Sequence, residues 1–450
     1  MALRPWTSAE VAEALGVASP KQLTFKAIST DTRAPSPESL FVALKGENFD
    51  AHTFLEQAKA QGAIAAVVRA GTPPVRGLPF YEVEDTLEAL GRLGRARRRM
   101  LPEGTPVVAI TGSSGKTSTK EMIRAALGAR FRVHATSKNL NNRIGVPLTI
   151  LSAPEDTQAL VVEAGASVPG EIAKLRDIIE PTIAVITNIG YAHVEGFGSL
   201  EGVMAEKLSL LDGAPVAIIG SGPEAMWPEA RRRTQVIPAA LGGKSLDDAL
   251  LDRYLDRNGY PQIALDSGEK ITLPALGLHQ LENAQLALAV AQRAGVEHDA
   301  AVRALPRMAL PEGRGDVHEI GNLVVIDDTY NANPASLRRA VQTADWLARR
   351  QRRPLVVVVG TMLELGAESA RLHAEAAREI AQRKPALVAA VGMFTRAFEP
   401  LREAVGGRLI TAADAEALGP KLKSALRGNE LVLLKASRGI ALERVLNHLT

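Results

Sequence analysis

The sequence predicts an α/β protein of three domains, and two observations support this prediction. The chain has 450 residues, and at about 150 residues per domain this length indicates roughly three domains. From residue 107 onward, short apolar runs alternate with helical stretches. That pattern is typical of a mainly parallel sheet covered by helices on both faces. We place the domains at residues 1–85, 86–309 and 310–450.

The composition excludes several classes of protein. The hydrophobic fraction is 46% and the charged fraction 23%, which is ordinary for a globular chain and rules out disordered, collagen-like and low-complexity proteins. A formal charge of +3 gives little support to nucleic-acid binding. The absence of Cys excludes disulfides, Cys-based metal sites and a Cys nucleophile. With no signal-peptide pattern and no run of about 18 apolar residues, we expect a soluble, cytoplasmic protein without a membrane span.

The first 85 residues have the pattern of a small mixed α/β domain. We predict helices at 8–15 and 54–61, strands beginning at residue 25 and at 40–44 and 63–68, and a Gly- and Pro-rich loop at 71–79. A basic helix over 87–100 then leads into the central domain. Its arginines (Arg92, Arg95, Arg97, Arg98 and Arg99) fit a solvated helix face better than a nucleic-acid site, although both remain open.

The rest of the chain contains two successive strand–helix series. The first has predicted strands at 107–110, 160–162, 183–186 and 216–219, and helices at 116–127, 170–179, 200–211 and 280–294. The second has predicted strands at 323–326, 355–359, 387–391 and 430–434, separated by helices. The first series indicates a central parallel sheet, and the second indicates a C-terminal Rossmann-like α/β domain.

A glycine-rich turn joins the first central strand to its helix. The segment 107–119 reads VVAITGSSGKTST, so Gly112 and Gly115 allow the backbone to approach a phosphate, Lys116 can reach the outer phosphates, and the Thr117 hydroxyl can bind Mg²⁺. The strict P-loop spacing requires glycine at position 110, which is isoleucine here, so only the compact TGxxGKT form is present. The sequence predicts a P-loop ATPase domain with a nucleotide site formed by Thr111, Gly112, Ser113, Ser114, Gly115, Lys116, Thr117 and Ser118.

Polar side chains follow other strands of both series. Glu163 and the segment 187–193, which ends in His193, follow central strands, and ligands of open α/β sheets bind beyond such strand ends. These residues therefore fit either a cation site or ordinary solvated loops. Lys207 lies on a predicted helix, where a lysine is normally a surface charge. The segment 327–334, DDTYNANP, can hold sugar hydroxyls and phosphates or can simply cap a helix.

Taken together, these segments resemble the Mur ligases, ATP-dependent amide ligases of peptidoglycan precursor synthesis. The matching motifs occur in the family's order: TGSSGKTSTKEM, EAGAS, TNIGYAHVEGFGSLEGV, HQLEN, DDTYNANP, TMLELG and LLKASRG. Within the family, the resemblance is closest to the members that join D-alanyl-D-alanine to a UDP-N-acetylmuramoyl-tripeptide. The motifs STDTR and LKGENFDAHTF resemble the UDP-binding N-terminal domain of such members.

The resemblance implies roles for particular residues. Lys116 and the loop amides would hold the β- and γ-phosphates, Thr117 and Glu163 one Mg²⁺, and His193 a second Mg²⁺. Lys207 would carry a CO₂-derived carbamate that supports the second ion, which makes Lys116, His193 and Lys207 the catalytic residues. The ATP site would also contain Asn283, Arg314, Asp328 and Tyr330. The tripeptide nucleotide and D-alanyl-D-alanine would be bound by Ser29, Thr32, Arg33, Asn139, Asn142, Asn331 and Asn333.

The resemblance also implies a mechanism and leaves some questions open. A substrate carboxylate would attack the γ-phosphate of ATP to give an acyl phosphate and ADP, and an amine would then displace phosphate. We expect a monomer without a nucleic-acid partner. The third residue of the tripeptide remains open among lysine, diaminopimelate and ornithine. Thr361 stands where the family usually has aspartate and is assigned no role.

Two other functions remain possible from the sequence. One is a related ligase of the folylpolyglutamate type, against which the UDP-type N-terminal motifs argue. The other is a P-loop ATPase stimulated by nucleic acid, which the basic helix at 87–100 would favour.

Overall fold

Three α/β units follow one another along the chain in the computed structural model, which describes residues 3–47, 49–239 and 248–449. Each unit contains a parallel or mainly parallel sheet, so the predicted fold class is confirmed. The boundaries after residues 85 and 309 remain predictions. Within the described residues, no helix is both long enough and apolar enough to cross a membrane.

The N-terminal unit is built on a four-stranded parallel sheet. The strands of this unit are β1 (Trp6–Thr7), β2 (Thr24–Phe25), β3 (Ala27–Ser29), β4 (Ser39–Val42), β5 (Ala63–Arg69) and β6 (Phe80–Val83). The helices of the unit are α1 (Ser8–Leu15), α2 (Leu55–Ala60) and α3 (Thr86–Arg99). Strands β3 to β6 pair in chain order, whereas β1 and β2 form a separate antiparallel pair. Helix α1 has the predicted bounds because Thr7 and Glu10 form a capping box at its start and Gly16, with φ of 68°, ends it.

The central unit contains a six-stranded parallel sheet in the order β12-β11-β10-β7-β9-β8. Its strands are β7 (Val107–Thr111), β8 (Val133–Ala135), β9 (Ala159–Glu163), β10 (Ile183–Asn188), β11 (Val216–Ser221) and β12 (Gln235–Pro238), followed by the hairpin β13 (Gln262–Ala264) and β14 (Lys270–Thr272). Its helices are α4 (Lys116–Leu127), α5 (Gly145–Leu151), α6 (Glu171–Ile179), α7 (Val194–Phe197), α8 (Leu200–Leu208), α9 (Met226–Arg233), α10 (Asp248–Tyr254), α11 (Leu278–Arg293) and α12 (His298–Ala304). The helix predicted at 200–211 ends at Leu208 and continues as a 3₁₀ turn.

The C-terminal unit contains a second six-stranded sheet in the order β15-β16-β20-β17-β18-β19. Its strands are β15 (Asp316–Ile320), β16 (Leu323–Asp327), β17 (Leu355–Val359), β18 (Leu387–Val391), β19 (Leu409–Ala412) and β20 (Leu431–Lys435). Its helices are α13 (Pro334–Gln351), α14 (Ser369–Gln382), α15 (Met393–Phe398), α16 (Arg402–Val405), α17 (Ala415–Ala425) and α18 (Leu446–Leu449). The sequence did not reveal β15, because this antiparallel edge strand is largely exposed and has no apolar run.

Helix α3 packs against both the N-terminal and the central units. Its Leu90 and Leu93 lie in the N-terminal core, and its Gly94 allows close approach to Pro147 of α5. The interpretation of its basic residues as a solvated face agrees with the exposure of Arg92, Arg95 and Arg99, whereas Arg97 is buried and Arg98 is half-buried. Arg95, Arg98 and Arg99 bond to Glu180, and Arg97 donates to the carbonyl of Ala153.

Candidate active site

A cavity of about 580 Å³ lies at the carboxyl ends of the central strands, where the central and C-terminal units meet. It brings together most of the residues that the sequence singled out: Ser113, Ser114, Gly115, Lys116, Thr117, Ser118, Asn139, Asn142, Glu163, His193, Asn283, Arg314, Asp328, Tyr330, Asn331 and Asn333. The lining does not include Thr111, Gly112, Lys207, Ser29, Thr32 or Arg33.

The loop between β7 and α4 is held by the end of the neighbouring strand β10. The Thr187 hydroxyl donates to the carbonyl of Ser114 at 2.6 Å, and Asn188 accepts from the amides of Ser113 and Ser114 at 3.0 Å. Gly112 is required at this point, because a Cβ atom there would lie 1.9 Å from the Thr187 hydroxyl. Since Asn188 already binds two loop amides, the amides left for an anion are those of the first turn of α4.

Lys116 begins α4 and reaches back over the loop. Its Nζ atom donates to the carbonyl of Gly112 at 2.7 Å. Removal from water lowers the pKa of Lys116, against the opposing effect of the Glu163 carboxylate. A phosphate group in the cavity would give this ammonium an anionic partner. Such a partner accepts a stronger hydrogen bond than the neutral carbonyl does.

Glu163 ends β9 beside the loop, and its carboxylate is nearly inaccessible to solvent, with the residue 2% exposed. One oxygen accepts from the Thr117 hydroxyl at 3.0 Å, and the other accepts from Asn141 at 2.8 Å. The interpretation of Glu163 as a solvated loop residue is therefore wrong. The neighbouring strand ends bring Glu163 and the phosphate loop together, as the sequence predicted.

The oxygens of Glu163 and Thr117 form a donor set that fits Mg²⁺, which prefers hard oxygen ligands. No group of three or more His, Asp or Glu side chains suited to a metal occurs among residues 3–47, 49–239 and 248–449. A site with so few protein ligands is typical of Mg²⁺ that is also held by substrate phosphates.

His193 connects the central unit to a loop of the C-terminal unit. Its Nδ1 atom lies 2.7 Å from Oε2 of Glu364, and the Glu364 carbonyl accepts from the amide of Glu195. Proximity to His193 lowers the pKa of the Glu364 carboxyl. Both His193 and Glu364 have positive φ, at 55° and 64°, so the contact joins two loops of unusual backbone conformation.

The expectation that a lysine at position 207 is a surface charge is wrong. Its side chain on α8 is buried with 0% exposure, and its Nζ atom has no hydrogen-bond partner. This nitrogen lies 5.5 Å from the ring centre of Phe197. Burial lowers the pKa of Lys207 to about 7, and the charge of Lys116 acts in the same direction. The amine is therefore largely neutral in mildly alkaline solution, as a nucleophilic lysine requires.

The C-terminal unit contributes two hydrogen bonds to the phosphate loop and the helix that follows it. Arg314 donates to the Thr117 hydroxyl at 3.1 Å, and its guanidinium lies 3.9 Å from the ring centre of Tyr330. Asn333, which caps α13, donates to the carbonyl of Ser113 at 3.2 Å. The cavity is consequently complete only when both units are in contact.

Asp328 follows β16 at the far side of the cavity and forms an ion pair with Lys435. The two charged groups are 2.6 Å apart, and Lys435 also donates to the carbonyl of Asn331. Burial raises the pKa of the Asp328 carboxyl, and the Lys435 ammonium opposes that shift. The sequence did not single out Lys435, because it is the last residue of an otherwise apolar strand.

Helix α11 forms another wall of the cavity. Asn283 donates to Gln280 at 2.9 Å, and its side-chain oxygen packs against Gly115 of the phosphate loop. On the same helix, Glu282 forms an ion pair with Arg339 of α13. His279 is half-buried beside these residues, with its Nδ1 atom inaccessible to solvent, and its pKa is lowered to about 3 by removal from water and by the positive charges of Arg339 and Lys435.

The predicted substrate residues of the N-terminal unit, Ser29 at the end of β3 and Thr32 and Arg33 in the loop that follows, lie outside the cavity. Arg33 forms an ion pair with Asp31, and its side chain is 87% exposed. Ser29 bonds within the same turn, and the carbonyl of Thr32 accepts from Gln57. Thr361, which received no role, accepts from the amide of Met393 and so holds the start of α15.

Comparison with known proteins identifies the family. Residues 110–291 match the Mur ligase middle domain, and residues 313–438 match the Mur ligase glutamate ligase domain. The chain belongs to the Mur ligase family.

Within this family, the chain is 34% identical over 436 residues to the UDP-N-acetylmuramoyl-tripeptide–D-alanyl-D-alanine ligase of Bacillus subtilis, with 95% of this chain and 94% of that protein covered. The corresponding Escherichia coli ligase is 35% identical, with the same coverage of each chain. A crystal structure of MurF from Acinetobacter baumannii superposes with a TM-score of 0.86 at 31% identity, covering 100% of this chain and 99% of that one. MurF ligase from Thermotoga maritima in complex with ADP gives a TM-score of 0.79 at 27% identity, with 94% and 96% covered.

The low pKa of His279 has a measurable effect on stability. Between pH 6.5 and about 3, the unfolded chain binds a proton at this histidine that the folded chain does not, so acid lowers the free energy of unfolding. Between pH 7.5 and pH 4.5, the free energy of unfolding should fall by about 1–2 kcal/mol less for His279→Gln than for the parent. This range allows for solvent screening. Urea unfolding at the two pH values measures this difference. The exposed His318 provides the control, and equal pH dependence of His279→Gln, His318→Gln and the parent would contradict the neutral state of His279.

Proposed function

We infer that this chain is an ATP-dependent ligase that joins D-alanyl-D-alanine to a UDP-N-acetylmuramoyl-tripeptide. Its near full-length identity to the curated ligases of this activity is the observation that carries the inference. The products are UDP-N-acetylmuramoyl-pentapeptide, ADP and phosphate, so the reaction belongs to peptidoglycan synthesis.

The chemistry converts a carboxylate, which is a poor electrophile, into an acyl phosphate. The terminal carboxylate of the tripeptide attacks the γ-phosphorus of ATP, the bond from that phosphorus to the bridging oxygen breaks, and ADP leaves. The amine of D-alanyl-D-alanine then attacks the acyl carbon and displaces phosphate, and the amine loses a proton. Two anions approach each other in the first step, so positioning and neutralisation of charge are the enzyme's principal tasks.

We propose that the cavity residues divide these tasks. Lys116, Arg314 and the amides at the start of α4 would neutralise and orient the phosphates, as their position around the loop supports. Asn283 would contact the adenine, and Asp328, held by Lys435, would accept hydrogen bonds from the ribose. Thr117 and Glu163 would hold one Mg²⁺ and His193 a second. When bound, Mg²⁺ supplies positive charge that stabilises the transferring phosphoryl group.

The N-terminal unit would bind the UDP group of the tripeptide nucleotide through Ser29, Thr32 and Arg33. Asn139, Asn142, Asn331 and Asn333 would face the peptide parts of the substrates, since all four line the cavity. We further propose that the enzyme acts as a monomer in the cytoplasm, where ATP and nucleotide-linked precursors are found, without a nucleic-acid partner.

We propose that Lys207 carries a carbamate. The neutral amine would add to CO₂, forming an N–C bond and releasing one proton to solvent, and the product would be an oxygen anion suited to Mg²⁺. The complete burial, the unpartnered Nζ atom and the pKa of about 7 all support this modification. The helices around Lys207 are fixed, because the adjacent Glu206 accepts from the amides of Gly170 and Ile172 at the start of α6.

The proposed reaction predicts that ADP forms only when both peptide substrates are present. A coupled assay of ADP release with the tripeptide nucleotide and D-alanyl-D-alanine tests this requirement. Lys116→Ala should remain folded and lose at least about 10²-fold in activity, because loss of a phosphate-binding cation costs several kcal/mol in the transition state. ADP release that needs DNA or RNA instead of the peptides would indicate the ATPase alternative.

Substitutions in the N-terminal loop should affect one substrate selectively. We expect Arg33→Ala and Thr32→Ala to raise the KM for the tripeptide nucleotide about tenfold and to change the KM for ATP less than twofold, because both residues lie outside the ATP cavity. Steady-state kinetics with each substrate varied in turn provides the measurement. A selective increase in the KM for ATP would show that the substrate unit has been assigned wrongly.

Lys207→Ala should lose most activity but retain its fold and its affinity for ATP. Acetate should restore part of that activity by supplying a carboxylate in the vacated space. Incubation of the parent with ¹³C-labelled CO₂ should give a carbamate signal in the ¹³C NMR spectrum that Lys207→Ala lacks. Normal turnover by Lys207→Ala in CO₂-depleted buffer, or the same signal in both proteins, would exclude the carbamate.

A further inference from the structure

A buried lysine, Lys120, lies on α4 one turn after Lys116. Lys120 is 1% exposed, its Nζ atom donates to the carbonyl of Thr136 at 2.5 Å, and it lies 2.8 Å from a carboxylate oxygen of Glu121. It does not line the cavity, and the reaction described above does not use it. Burial of an ammonium group is costly, so the presence of a lysine at position 120 suggests that its contacts serve a purpose.

Thr136 connects this lysine to Glu163. Its hydroxyl accepts from the backbone amide of Glu163 at 2.9 Å, and its own amide donates to the carbonyl of Val161 at 3.0 Å. Thr136 follows β8 and is itself 2% exposed. A continuous chain of hydrogen bonds therefore runs from the Lys120 ammonium, through Thr136, to the backbone of the residue whose carboxylate faces Thr117.

We propose that Lys120 and Thr136 are positioning residues for the Glu163 carboxylate and thereby set the affinity of the enzyme for Mg²⁺. Lys120 fixes the carbonyl of Thr136, and the Thr136 hydroxyl fixes the amide of Glu163. With its backbone held from one side and its two oxygens held by Thr117 and Asn141, Glu163 has little freedom to turn away from a cation. Groups that orient a metal ligand in this way commonly change metal affinity when they are removed.

This inference rests on the proposed role of Glu163 as a Mg²⁺ ligand. A purely structural role is the competing explanation, because the Lys120 bond also attaches α4 to the segment after β8. A structural role predicts a loss of stability with unchanged metal affinity, whereas the positioning role predicts weaker metal binding in a folded protein.

Direct metal binding tests the proposal. Binding of Mn²⁺, in the presence of the ATP analogue with an imido group between the β- and γ-phosphates, is measured from the electron paramagnetic resonance signal of free Mn²⁺. We expect Thr136→Val and Lys120→Met to raise the Mn²⁺ Kd about tenfold, within the 10–100-fold range typical of such groups. The Mg²⁺ concentration for half-maximal ADP release should rise in parallel. Thr136→Ser, which keeps the hydroxyl, should bind Mn²⁺ as the parent does.

Two further variants separate the possible outcomes. Thr149→Val removes another buried hydroxyl of the central unit, one that donates to the carbonyl of Gly145, and should leave the Mn²⁺ Kd within about twofold. Glu163→Gln should weaken Mn²⁺ binding, and no effect there would mean that the Mg²⁺ assignment itself is wrong. Weaker binding in Glu163→Gln together with parental affinity in Thr136→Val would overturn the positioning role. If Lys120→Met does not fold, Thr136→Val decides the question, because it removes a single hydroxyl at nearly constant volume.

Discussion

The hydrogen bonds between the end of β10 and the loop after β7 are the constraint on which the site depends. Thr187 and Asn188 fix the loop from one side, so the first turn of α4 is oriented before any nucleotide arrives. Glu163 approaches from β9 on the other side of β7, and the adjacency of these three strands brings its carboxylate to the Thr117 hydroxyl. A parallel sheet with β7 between β9 and β10 therefore places anion-binding amides, a lysine and a carboxylate around one point.

Much of this arrangement could be predicted from the sequence, because the buried strands have continuous apolar runs and the glycine-rich turn has few alternatives. The predicted bounds of β17 and β18 agree with the structure, and so do those of α4. Edge elements such as β15 were missed because their polar pattern resembles that of a loop. Short elements such as α5 were missed because a hydrophobic helix of about two turns has no distinctive periodicity.

Residue environments were harder to predict than residue positions. The sequence placed Lys207 on the correct helix, but a lysine there gives no sign of burial, which results from the packing of α6, α7 and α8 together. Lys435 and Glu364 were also missed, since their partners Asp328 and His193 are distant in the chain. The arginines of α3 show the same difficulty, because Arg92, Arg95 and Arg99 are exposed as the charge pattern suggests, whereas the pattern gives no sign that Arg97 is buried.

Helix α3 determines how the N-terminal and central units are joined. Because it belongs to the N-terminal core and is also packed on α5 and α6, this helix joins the first two units through apolar contacts on both of its sides. Their separation would require breaking apolar contacts that stabilise both. The C-terminal unit reaches the phosphate loop through the polar contacts of Arg314 and Asn333, but Leu278 and Leu281 of α11 also belong to the apolar core around α13. The central unit is therefore joined to both of its neighbours by apolar contacts, so the walls of the nucleotide cavity are held in place by packing outside the cavity itself.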